Sequence, residues 1–102
     1  MLMTTQQITE AVIKKYPDKY PQDKAAILVE KIDQMTPGIK KSLELFLETG
    51  TITPVWLLGF DIDKLMKEHG MNEVASYLTI DWLARDPDAA MASLSKGHEA
   101  TA

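Results

Sequence analysis

Two histidines, His69 and His98, are the whole imidazole complement of the chain, and it has no cysteine. A structural or catalytic zinc site needs three or four such ligands at recognisable spacing, for instance two histidines four apart on a helix. Neither spacing occurs, and without thiols there is no disulfide, no thiolate metal site and no cysteine nucleophile. His98 falls in a short polar C-terminal stretch. His69 stands just before Gly70, where the negative end of a helix dipole favours it for structural reasons alone.

Asp61-Ile62-Asp63 opens like a calcium loop. Such a loop then needs an oxygen ligand at its fifth position and glycine at its sixth. The residues there are Leu65 and Met66, so Asp61 and Asp63 read instead as a helix cap and a first-turn acid that complements the dipole. The same holds for Asp86 and Asp88 around Pro87. No Gly-x-Ser-x-Gly pattern is present, and Ser42, Ser76 and Ser93 fall inside expected helices, facing solvent or bonded back to the helix. The five glycines are scattered, so no loop cradles a phosphate. Asp81 and Arg85, four apart, read as a surface ion pair worth a few tenths of a kcal/mol. The expectation is a chain without catalytic machinery, metal or cofactor.

Charge argues in the same direction. The 102 residues carry a net charge of −4 and a pI near 5.0. Positions 1–50 are neutral, the negative charge falls after position 50, and Arg85 is the only arginine. Nucleic-acid readers depend on arginine for bidentate contacts to bases and phosphates. The pairs Lys14-Lys15 and Lys40-Lys41 read as solvated helix faces. A helix, a tight turn at Gly70-Met71 and a second helix from Asn72 do give the outline of a helix-turn-helix. Its second helix would present Asn72, Glu73, Ser76, Thr79 and Asp81 outward, and acids facing phosphates repel. A DNA-binding regulator is therefore an alternative and not the preferred reading.

What remains is an excess of aromatic and apolar side chains: Trp56, Phe60, Tyr77, Ile80 and Trp82. They can form the core of the second half, or the centre of a protein contact, where aromatic anchors concentrate. Tyr77 and Ile80 lie off the main apolar stripe of their helix and are the first candidates for an interface. A pocket near Trp56, Phe60 and His69 would give a further alternative, a small-molecule or lipid carrier or an enzyme subunit.

These residues must be positioned by helices. Thr36-Pro37, Thr53-Pro54 and Asp86-Pro87 share one start signal, an oxygen-bearing N-cap followed by Pro at the first helical position. Gly50 and Gly70 are stop signals, since glycine takes the left-handed conformation that closes a helix. The first helix is expected over about 5–16, with Ile8, Val12 and Tyr16 on one stripe. A second starts at Pro21, with Ala25, Leu28, Val29, Ile32 and Met35 at the 3.6-residue period. A third spans Pro37 to about Thr49 and buries Ile39, Leu43, Phe46 and Leu47, leaving Leu45 outside. Val55 to Phe60 reads as a short buried helix broken at Gly59, because a lone strand would have no partner elsewhere. Asp61 caps a helix over about 62–69. The next runs from Asn72 to about Arg85 with apolar residues on both sides, so it is either central or touches a partner. The last spans Pro87 to about Leu94, and 95–102 is expected to be a disordered tail.

The sequence thus predicts an all-α fold, one compact domain over 1–94 of six or seven short helices in a bundle or orthogonal array. Its 11.4 kDa should expose about 5,800 Å² when folded, enough burial for an independent domain. The N-terminus lacks a basic start and a long apolar stretch, so no secretory signal is expected. With no cysteine, a cytoplasmic protein is expected. The preferred function is a non-catalytic interaction or regulatory protein that buries an apolar helical face against a partner protein, a second copy of itself included. No membrane or nucleic-acid partner is expected.

Overall fold

Four of the helices described begin on a side-chain cap and two close on a left-handed glycine. In the computed structural model, which describes residues 3–96, α1 spans Thr5–Lys15, α2 Ala25–Asp33, α3 Pro37–Thr49, α4 Ile62–His69, α5 Glu73–Arg85 and α6 Pro87–Ser95. A single 3-10 turn, Gln22–Lys24, leads into α2. The Thr4 side chain accepts from the Gln7 amide, and the Gln7 side chain accepts from the Thr4 amide, a reciprocal capping box. Asp61, Asn72 and Asp86 each accept from the backbone amide three residues on, at 2.7, 2.7 and 3.4 Å. Gly50 and Gly70 close α3 and α4 with φ of 77° and 67°, a conformation that a Cβ would oppose.

The fold is mostly α, as expected, and its accessible surface of 5863 Å² is that of a compact chain of this mass. The centre is α5, which packs on α3, α4 and α6 and on the hairpin described below. Its residues from Val74 to Asp81 are all buried. The two-sided apolar pattern of this helix therefore marks it as central. The first half closes through α1 against α2 and α3, with Ile8, Val12, Ile32 and Leu43 fully enclosed. Leu45 stays outside the buried face of α3, as its position on the helix requires. Ser42 and Ser76 bond back to the carbonyls of Gly38 and Asn72, as serines inside helices do. Among the described residues no helix is long and apolar enough to cross a membrane. The frayed tail expected from Ser95 falls, from residue 97 onward, outside the described residues, and Ser95 itself ends α6.

One segment departs from the expected helix. Residues 56–61 form an antiparallel β-hairpin, β1 Trp56–Leu57 and β2 Phe60–Asp61, with Trp56 opposite Asp61 and Leu57 opposite Phe60. The partner strand lies within the same short run, so the objection that a strand there would be alone does not apply. Leu58 and Gly59 both have positive φ, 52° and 86°, which defines a two-residue type I′ turn whose twist matches that of the strands. Thr53-Pro54 consequently starts no helix. Pro54 instead favours an extended Thr53 before the hairpin.

Two tyrosines bind this core and register in its pH dependence. Tyr16 donates a short hydrogen bond to Glu73. Burial, then that hydrogen bond and the Glu73 charge, raise Tyr16 well above the ordinary phenol value of 10.0. Burial raises Tyr77 as well, although its backbone contact to Thr53 works in the opposite sense. A raised folded pKa means that the folded state holds its proton longer than the unfolded one. This contribution to stability is complete below pH 10.0 and is lost as pH rises through the folded values. A phenolate-absorbance titration followed alongside circular dichroism should show Tyr16 and Tyr77 ionising together with alkaline unfolding. Their ionisation in the intact fold near the ordinary value would contradict this.

Candidate functional site

The hairpin alternates with period two. Val55, Leu57 and Phe60 pack against the core, while Trp56 and Leu58 point to solvent. Trp56 is 68% exposed, Leu58 50% and nearby Ile52 41%. The tip is braced from several sides. Asp61 pairs with Trp56 across the ladder and also caps α4, so the hairpin runs into that helix without a loop. The Lys64 ammonium lies 5.0 Å from the centre of the Phe60 ring and 3.4 Å from the Gly59 carbonyl. His69, in the last turn of α4, rests its ring on Phe60 at 6.1 Å. At the hairpin's approach, the Thr53 amide donates to the Tyr77 hydroxyl at 3.1 Å, and that hydroxyl lies 3.3 Å from the Thr53 carbonyl, to which it donates.

The five residues singled out by the sequence therefore separate. Trp56 is an exposed tip residue, and Phe60 is half-buried beneath it. Tyr77 and Ile80 are both 0% exposed, which corrects their expected place at an interface. Tyr77 lies tilted against Phe46 with ring centres 6.4 Å apart and clamps Thr53, and Ile80, three residues on and on the same helix face, is enclosed in the core. Trp82 is half-buried and lines a surface recess with Lys31, Gln34, Leu78 and Arg85. Leu58 and Ile52 belong with Trp56 and escaped sequence reasoning. The signal that identifies them is Gly59, as the second residue of a two-residue turn between alternating apolar positions.

No family model, curated protein or solved structure matches the chain.

Ser76, Thr79 and Asp81, expected on the outer face of a recognition helix, are all 0% exposed. Residues 74–81 of α5 thus present no exposed face, and α4 packs against α5 as a hairpin of helices. Asp81 is also no surface ion-pair member. Its side chain is 1% exposed and receives Arg85 Nε at 2.8 Å. It also accepts the Thr36 amide at 2.7 Å. The Thr36 side chain makes no capping bond, and this carboxylate from α5 instead accepts from the Thr36 amide, the bond that an acid at the third helical position makes in a capping box. Among the described residues, no three His, Cys, Asp or Glu side chains converge as a metal site would require. The chemical capacity of the hairpin tip is apolar contact through the exposed Trp56 and Leu58.

Proposed function

We propose that this chain is a non-catalytic protein-interaction module whose contact surface is the tip of the β-hairpin, Trp56 and Leu58 with Ile52 beside them. The observation that supports this most directly is Leu58. It occupies a left-handed backbone position, φ 52°, where Asn, Asp or Gly is favoured and a leucine costs about 1 kcal/mol. Its side chain is half exposed as well, beside Trp56, the most exposed large apolar residue among those described. Strain and exposed apolar surface at one rigid tip are features that stability alone does not favour and that partner binding would reward. A convex tip calls for a partner with a concave apolar site. The absence of cysteine supports a cytoplasmic setting.

The test is a pair of variants, Leu58→Asn and Trp56→Ser. Leu58→Asn should raise stability by about 1 kcal/mol, because Asn-Gly suits a type I′ turn. Combined with Trp56→Ser, it should abolish association, read as solution mass by light scattering at two concentrations and as retention of partner protein. If the double variant folds and associates as the parent does, the hairpin is not the contact surface. A parent that stays monomeric and retains nothing that the double variant loses would overturn the reading equally.

A further inference from the structure

A second surface, sharing no residue with the hairpin, has a different chemistry. Pro37, Lys40, Lys41 and Glu44 recur at i, i+3, i+4 and i+7 along α3 and so share one face. The end of α2 and the link after it set Asp33 and Met35 against that face, and the chain before α1 adds Met3. These walls line a recess of about 460 Å³, within the roughly 300–1,000 Å³ of small-molecule sites. The Lys40-Lys41 pair, expected on a solvated helix face, thus lines a concave wall.

Both charge signs stand in this recess, and neutral groups hold them in place. The Thr5 hydroxyl accepts from the Lys40 ammonium at 2.8 Å and donates to the Asp33 carboxylate at 3.2 Å. One hydroxyl of α1 therefore fixes an ammonium of α3 beside a carboxylate of α2. The Glu44 carboxylate is buried, 6% exposed, and accepts the Met3 amide through Oε1. An ammonium donates to more than one acceptor and a carboxylate accepts from more than one donor. These contacts therefore orient the charged groups and leave them capacity for a ligand, which lowers the ordering cost of binding. Between the charges the lining is apolar, from Met3, Pro37 and the buried Met35.

We propose that this recess binds a free α-amino acid with an aliphatic side chain. Its ammonium meets Glu44 and Asp33, its carboxylate meets Lys40 and Lys41, and its side chain lies on Met3, Met35 and Pro37. A ligand of one sign sets its charge beside like charges as well as opposite ones, whereas a zwitterion is matched to both. The flexible thioethers adapt to an aliphatic side chain.

The test uses the full chain with its methionines labelled at the methyl carbon, titrated with L-leucine at low salt and followed by NMR. The Met3 and Met35 signals should shift saturably, with a dissociation constant of about 1 mM or below. Those of Met66, Met71 and Met91, which do not line the recess, should stay in place. Leucinamide lacks the carboxylate and isocaproate lacks the ammonium, and each should bind at least about tenfold more weakly. L-leucine should lose affinity to a similar extent in Lys41→Gln and in Asp33→Asn, substitutions at exposed positions. A thermal melt confirms that the variants fold, and the two analogues test the unaltered chain without them. Three results would overturn the proposal: no saturable shift of Met3 and Met35 up to about 10 mM leucine, an analogue that binds as tightly as leucine, or unchanged affinity in both folded variants.

Discussion

Asp81→Ala is expected to lower stability by about 3 kcal/mol, from a buried amide left without its acceptor together with a partly screened ion pair, and the melting temperature by about 15 °C. The carboxylate is enclosed, with 1% of its side chain exposed, and it serves two donors. One is the Thr36 amide at the start of α3, 2.7 Å away and 45 positions distant in the sequence. The other is Arg85 on its own helix. These two contributions can be separated. The Arg85 side chain is 39% exposed, so Arg85→Ala should cost less than about 1 kcal/mol, the range of screened pairs. The larger share belongs to the amide, because a buried backbone donor left without an acceptor loses its full solvation. Urea unfolding of both single variants and of the double variant reads the division directly. If Arg85→Ala costs as much as Asp81→Ala, the ion pair and not the bond to the Thr36 amide is what Asp81 supplies.

Tyr77→Ala should cost about 4 kcal/mol, as expected for emptying a fully buried aromatic site. Tyr77→Phe is the more informative change. It keeps the ring against Phe46 but removes the hydroxyl that holds both the amide and the carbonyl of Thr53. About 1–2 kcal/mol should be lost, and the loss should be local. Hydrogen exchange is expected to accelerate through residues 53–61 while the amides of α1 and α2 keep their protection. Uniform acceleration across the chain would mean that Tyr77 supports the core as a whole. Unchanged exchange would mean that the Thr53 contact does not fasten the hairpin. The proposed function adds a consequence, since a loosened tip loses its pre-organisation for a partner.

The helices were legible because their signals are local. Thr4 with Gln7, Asp61 three residues before Lys64, Asn72 before Ala75 and the left-handed glycines at 50 and 70 act over a single turn. Their chemistry needs no distant partner. The hairpin was misread although its signal is equally local. A six-residue apolar run satisfies helix and strand templates alike, and Leu58 is an unusual residue for a type I′ turn. The sequence by itself determined the mostly helical class, the ends of α3 to α6 and the two-sided character of α5. Only the tertiary structure decided that both sides of α5 are interior, so that Tyr77 and Ile80 are core while Trp56 and Leu58 are surface. It also decided that Asp81 serves the start of a helix 45 positions away. The reason is physical. Periodicity reports which side chains avoid water, but burial and charge environment depend on which elements pack around them, and those contacts join residues the local pattern does not relate.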